Sequence, residues 1–535
     1  MHYATLKRES NVNVRRAHSV SPRGGIDRGI LTSALLPVIT TCCVCTLVGW
    51  KRYLLFMDIE QALSNPSKPS MPPTIHFYDA QFLGSPSQGQ LVSFDSLCYG
   101  ADGESRYGVQ ISLRPDVAFQ PEVVELLDCF DLNLSDGVTE YEWSRNAQSL
   151  FGMHGALHVG IGNTAALDHF IRYALYRCLS TLPNTELPEG AYYLDLLTVC
   201  RAIGLLRPST MPIELPAAWA EQRKRDYIHT VLGCGSRADT VLELARSIHE
   251  SSPKMMAHAI SYASPARIAE LCGLVGGQVE SLSSLRPVFV CHELLMAEHQ
   301  WGVFLTLATD PQYSNMVYMV DLQCDLSELV EDAGGCVSRF IRTDSTQTDR
   351  PIVRVNLNRI PFVSPLGVID PATASRLGIS PASIKHNATL LYSQRDICLA
   401  LMEVSGASEM KGDPDYHLFG AEYLEPDRLL LSNLHNSPRS EWSAIVGDAN
   451  DARIITLADR LIGRLEPALL SVEEAKRWHA HCASRIRGRA DSTRIATTKD
   501  YCSWIAASNA YPQGVRAAAR HWLHTIEIGN EPRNV

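Results

Sequence analysis

The sequence predicts three parts in chain order: an α/β layer, a small β domain and a helical domain. Three observations predict it. Short apolar strands alternate with helical periods between residues 74 and 250, the pattern of a layered α/β unit. Residues 287–360 carry "PVFVCHE", "WGVFLTLA", "MVYMVDL" and "PIVRVNL", short β-branched strands set between turn residues. From residue 390 onward the text is mostly helical, and in "LLSVEEAKRW" Ser471 followed by Glu474 makes a capping box.

In the first part, "TIHFYDAQFLGS" (74–85) is a strand that delivers Asp79 and, two residues on, Gln81. Alternation puts both side chains on one face, where two acids could share a metal; here the second is an amide. "YGVQISLRP" (107–115) alternates as a strand, and "GALHVGIGN" (155–163) reads as a buried strand entering a glycine turn. "ALDHFIRYALYRCL" (166–179) has helical spacing, with Leu167, Phe170, Ala174 and Leu175 on one side. "YYLDLLTVCRAIGLL" and "RADTVLELARSIHE" are further amphipathic helices.

With 535 residues and about 150 per domain, three domains are the expected number. The net charge is −10, yet residues 1–56 carry eight Lys/Arg against Glu9 and Asp27, so the remainder is −16. An acidic body argues against indiscriminate duplex binding, which needs a broad basic surface. The fifteen cysteines are scattered and only Cys42–Cys45 has a C-x-x-C spacing, which predicts reduced thiols in a cytoplasmic protein. His479 and His481 beside Cys482 are two apart on a helix and do not face each other, so no metal cluster is expected there. Gly29 to Trp50 is uncharged for 22 residues, long enough to span a bilayer. Pro37 and its Ser/Thr content make it a poor apolar helix, and "NPSKPSMPP" before the first strand is linker composition. A start at Met71 and no membrane span are therefore expected.

Several stretches together resemble the bacterial exodeoxyribonuclease I family. "FYDAQFLG" (77–84) is similar to the family's first motif through Phe77, Tyr78, Asp79, Phe82 and Gly84. "GIGNTAALDHFIRYALYR" echoes its second through Gly160, Asn163, Asp168, Arg172, Tyr176 and Arg177, and "LDLLTVCRAIGLLRP" a third. "MVYMVDLQCDLSEL", "VNLNRIPFVSP" and "RLGIS" resemble its SH3-like domain, and "DYHLFGAEYLEPDR" with the Glu474…Trp478 helix its helical domain. The resemblance implies an RNase H-like exonuclease domain at 71–253, an SH3-like domain at 254–388 and a C-terminal helical domain at 389–535, after an extension at 1–70. It implies a monomer that degrades single-stranded DNA 3′→5′ in repair and recombination, with Mg²⁺ as cofactor.

Carried over residue by residue, the family's metal ligands fall on Asp79, Gln81, Leu167 and Asp239, and its general base on Cys234. Asp79 and Asp239 keep a carboxylate; Gln81, Leu167 and Cys234 are degraded positions. Mg²⁺ prefers carboxylate ligands, so a complete two-metal site is not expected. Asp168 stands one position off register, about 100° around the helix. Asp239 follows Ser236 in a first turn, where an acid also complements the helix dipole. His229 is ten residues from Asp239, outside the turn that Cys234 occupies. Three outcomes follow: a single-strand binder with weak or lost cleavage; a nuclease in which Asp79, Asp168 and Asp239 hold one metal; or a non-catalytic paralogue that docks the acidic tail of single-strand binding protein through Arg201, Arg207 and Arg359. Tyr78, Phe82, Tyr176 and Trp301 are the stacking candidates for bases, and Asn163, Arg172, Arg207 and Arg359 the polar contacts. Arg485, Arg487, Arg489 and Arg494 read as a solvated face.

Overall fold

In the computed structural model, the residues described are 74–487 with short breaks, the longest at 118–136, 183–190 and 405–411, and scattered positions between 503 and 523. Met71, the Gly29–Trp50 segment, Asn163, Arg489 and Arg494 lie outside the described residues. Among those described, no helix is long and apolar enough to cross a membrane.

The first sheet has five strands: β1 (Ile75–Leu83), β2 (Gln90–Gly100), β3 (Gly103–Gln110), β4 (Leu157–Gly160) and β5 (Tyr192–Asp195), in the order β3-β2-β1-β4-β5. The first three pair antiparallel, while β4 and β5 run parallel to β1. The return from β1 to β2 is tight: Gly84 has φ +72°, and a Cβ at Gly89 would lie 1.8 Å from the Leu83 carbonyl. Only glycine fits there.

Helices cover both faces: α1 (Glu140–Phe151), α2 (Asp168–Arg177), α3 (Leu196–Leu206), α4 (Glu221–Leu232) and α5 (Arg237–Ser251). Strand alternation sorts the core. Tyr78, Ala80 and Phe94 pack with Trp143 and Phe151 of α1 and Phe170 of α2. Ile75, Phe77 and Leu97 pack on the other face with Ile203 of α3 and Val241 and Leu244 of α5. Asp79 and Gln81 share the parity of Ile75 and Phe77, so they face α5. The periodicity read for 166–179 holds: Leu167, Phe170, Ala174 and Leu175 all lie in the first cluster.

The second sheet is antiparallel: β6 (Val288–Cys291), β7 (Trp301–Thr309), β8 (Met316–Asp321), β9 (Ile352–Asn356) and β10 (Phe362–Pro365), ordered β10-β6-β7-β8-β9. Helices Glu425–Asn436, Trp442–Val446, Ala452–Leu465 and Val472–Arg487 follow. The first three of these share a third core with Tyr176 and Leu179, at the end of α2 and just beyond it. The capping box forms, the Ser471 backbone N–H donating to Glu474 Oε2 at 2.7 Å. The expected order of α/β, β and helical parts is thus present.

Candidate functional site

Asp79 sits at the centre of β1, 3% exposed. Its two carboxylate oxygens are met by two guanidiniums. Arg225 of α4 donates from Nη2 to Asp79 Oδ1 and to the Ala80 carbonyl, and its Cζ lies 5.1 Å from the centre of the Phe82 ring. Arg237, at the first position of α5, donates from Nη1 to Asp79 Oδ2 at 2.9 Å and from Nη2 to Asp226 at 2.8 Å. Its backbone N–H reaches Asp95 Oδ2 at 3.0 Å. Asp95 stands directly opposite Asp79 on β2, and burial, with Asp79 beside it, pushes its carboxyl above the usual range. Gln81 is pinned by the same pairing: Ser93, its cross-strand partner, donates to Gln81 Oε1 at 2.8 Å.

The residues predicted to join Asp79 go elsewhere. Asp239 pairs with Arg106 of β3 through two bonds of 2.9 Å and accepts from the Ser236 hydroxyl, so its carboxylate is committed across the sheet rather than to Asp79. The side chain of α5 that reaches Asp79 is Arg237, two residues earlier. Leu167 is fully buried with Tyr78, Ala80 and Phe170, on the face of the sheet opposite Asp79. Cys234 donates weakly to the Leu232 carbonyl, and burial raises its thiol pKa. His229, though distant in sequence from Asp239, packs beside the cluster: its Nδ1 lies 2.6 Å from Thr240 Oγ1, and burial and Arg237 lower its pKa.

Asp168 is bound into a different network. It accepts from Arg172 at 2.9 Å, from Arg359 of the second sheet's part at 2.7 Å and from the Tyr193 hydroxyl at 2.7 Å. Despite complete burial, these cations hold its pKa at about 2. Arg172 and Arg359, expected to contact DNA, instead pair with Asp168, and Arg359 also meets His169. Among the aromatic candidates, Tyr78 is fully buried against Phe151, and Tyr176 is buried with its hydroxyl on the Pro414 carbonyl, so neither ring is open to a base. Phe82 is stacked on Phe170 at 4.1 Å and covered by Arg225; Trp301 stacks on Phe289. Asp195 caps α3, accepting from the Leu197 and Gly162 backbone N–H groups. Arg207 remains partly open, with Nη2 on the Val368 carbonyl.

His481 finds its partners on other elements rather than in His479 and Cys482. It meets Asp116 and Asp415, and ligand atoms of the three lie within 4.8 Å of one another, close enough by distance to share a metal. Their surroundings oppose one: Arg464 pairs with Asp116 at 2.7 Å, Arg460 with Asp415 at 3.0 Å, and Arg485 with Asp415. Arg485 is therefore an internal ion-pair partner, not part of a solvated face. The cluster joins the α/β part to the helical part, since Asp116 follows β3 and the others lie beyond residue 412.

The same test applies at Asp79. A dication needs several oxygen ligands with net negative charge. Here the two oxygens of Asp79 already face two cations, and like charges 4 Å apart repel by about 4 kcal/mol per unit pair at an effective dielectric near 20. The residues present do not fit a two-metal centre.

Known proteins resemble the chain in sequence and in fold. Residues 279–405 match the model of the exonuclease I SH3-like domain, and residues 412–526 that of the exonuclease I C-terminal domain. Both matches are to domains of the exonuclease I family, which the chain resembles. It is 22% identical to exodeoxyribonuclease I of Buchnera aphidicola (from Schizaphis graminum) over 367 residues, 65% of this chain and 73% of that one. Against the Escherichia coli K12 enzyme the figures are 22% over 360 residues, 64% and 74%. The fold is similar to that of a moderately thermophilic exonuclease I from Methylocaldum szegediense, with TM-score 0.70 and 20% identity over 86% of this chain and all of that one. Escherichia coli exonuclease I in complex with a dA16 oligonucleotide gives TM-score 0.69 at 18% identity, over 85% of this chain and all of that one.

The residues that sequence reasoning missed are Arg225, Arg237, Asp95 and Asp226. One signal was available. Arg237 opens a helix, where the dipole disfavours a cation, so its placement calls for carboxylate partners.

Proposed function

We propose that this chain binds single-stranded DNA at a 3′ end in the manner of its family and hydrolyses it weakly or not at all. The observation that carries the reading is the engagement of both Asp79 oxygens by Arg225 and Arg237. With Gln81 held by Ser93 and Leu167 in the core, the acids that would gather metal around a scissile phosphate are missing or occupied. The single-strand half of the reading is supported by the family and by the relative's complex with an oligonucleotide. In direct binding measurements an oligo-dT strand binds more tightly than duplex of equal length, with affinity falling as salt rises. Equal affinity for both, or no binding at low salt, overturns it.

A second reading, docking of the acidic tail of single-strand binding protein, has one observation in its favour. An apolar pocket of about 450 Å³ is lined by Pro287, Leu366, Ile369, Ile379, Ile384 and Lys385. Arg207 and Arg376 hold backbone carbonyls of Val368 and Leu205 nearby, Val368 lying between two lining residues. An apolar slot beside cations suits a peptide that ends in an apolar residue and a carboxylate. One solved relative is described as single-strand binding protein with exonuclease I and an inhibitor. A labelled acidic peptide with a terminal Phe binds the chain, and Lys385→Glu weakens that binding while leaving oligo-dT affinity unchanged.

A further inference from the structure

We infer that Arg225 and Arg237 are resident cations standing in the place of the metal pair, so that this chain keeps its acid cluster assembled with no divalent ion at all. The inference rests on the reading above. It begins from a charge problem: Asp79 and Asp95 are directly opposite on β1 and β2, and Asp226 of α4 joins them. Like charges facing across a strand pair destabilise it, and burial sharpens the repulsion. A metal-dependent nuclease answers such repulsion with dications.

Here the answer is covalently attached. Arg237 touches all three acids, through Nη1 to Asp79, Nη2 to Asp226 and its backbone N–H to Asp95. Arg225 adds a second positive charge on the other Asp79 oxygen and is itself held over the Phe82 ring, which Phe170 backs at 4.1 Å. Both guanidiniums are buried, Arg225 at 2% and Arg237 at 6% exposure, so an entering ion must expel a buried cation before it reaches a ligand. The two arginines come from α4 and α5, the helices that flank the acid-bearing face. Gly108 completes the fit: a Cβ there would lie 2.7 Å from Asp95 Oδ1, so a bare backbone on β3 leaves room for the acid to turn toward Arg237.

The test uses the full chain. Titrated with Mn²⁺ alone, it leaves the free-ion electron paramagnetic signal undiminished, and its melting temperature is the same in Mn²⁺ as in EDTA. The double change Arg225→Met with Arg237→Met lowers the melting temperature in EDTA, and Mn²⁺ restores part of the loss. Depletion of free Mn²⁺ by the unmodified chain, abolished by Asp79→Asn, overturns the inference; so does a double variant as stable in EDTA as the parent. The Mn²⁺ titration of the unmodified chain decides the matter even where the double variant does not fold. Absence of oligo-dT binding in every buffer counts against the single-strand reading instead, and the Mn²⁺ titration is still read independently.

Discussion

Asp79 and Asp168 are both buried carboxylates of the α/β part, and each is held by two arginines, yet they do different things. Asp79 takes Arg225 and Arg237 from neighbouring helices of its own domain, in a cluster with two further acids. Asp168 takes Arg172 from its own helix and Arg359 from the part that carries the second sheet. The first arrangement fills a site; the second ties two domains. The difference lies in where the cations come from, since the carboxylates are alike. Buried ion pairs of either kind add little net stability over an apolar replacement, but removing one partner leaves a buried charge and is costly.

Acid should separate the two regions most strongly. His158 and His169 flank Asp168 and are held down to about 3 and about 4, first by burial. In the unfolded chain such histidines take a proton near pH 6.5, so the unfolded state binds more protons below that value and acid favours it. Stability is complete above about pH 6.5 and is lost progressively as pH falls through about 4 and then about 3. Asp168 adds to the loss only as its own proton binds, between the usual range and about 2. His76 of β1 lies 2.9 Å from His158 and is also held low by burial, so β1 responds to acid together with α2. Hydrogen exchange followed against pH should show α2 opening before α5, which carries Arg237, and the reverse order breaks the comparison.

Among substitutions, Leu167→Asp should cost most, about 4 kcal/mol or more, because it buries an unpaired charge in a closed apolar cluster. The triple change Gln81→Glu, Leu167→Asp and Cys234→His, which would rebuild the family's motif set on paper, therefore yields an unstable chain without Mg²⁺-dependent cleavage; denaturant unfolding and oligonucleotide digestion check the two halves. Asp168→Asn should cost about 3–5 kcal/mol by chemical unfolding and should quicken proteolysis between the two sheets. Asp79→Asn should cost less, about 1–3 kcal/mol, because Arg237 keeps Asp226 and Asp95. A larger loss for Asp79→Asn than for Asp168→Asn contradicts the division drawn here. Ser93→Ala should be the mildest change, about 1 kcal/mol, since it removes one hydrogen bond to Gln81.

The order of the three parts was legible because each rests on a local period: alternation in β1, the 3.6-residue spacing of Leu167, Phe170 and Ala174, and the Ser471 capping box. The gap at Gln81 was legible as well, since a strand fixes which side chains share a face. The pairing of Asp79 with Arg225 was not, because the two are far apart in sequence and no spacing rule relates them. Asp239 misled for a related reason: an acid in the first turn of α5 fits a cap and a metal ligand equally, and only the packing of β3 brings Arg106 to it. His481 looked unpartnered along its own helix, but its partners come from Asp116 and Asp415, on other elements. Charge partners are set by tertiary packing, and sequence reports them only where a residue such as Arg237 sits against its local field.

The central claim is that the guanidiniums at Asp79 leave a strand-binding protein without metal-driven cleavage. Its most direct test is digestion of a 3′-labelled single strand by the unmodified chain, run in parallel with Mg²⁺, with Mn²⁺ and with EDTA, under conditions where binding of the strand is verified. The account predicts a strand that stays intact or shortens only slowly in all three. Rapid shortening from the 3′ end with Mg²⁺ or Mn²⁺, abolished by EDTA and by Asp79→Ala, would contradict it.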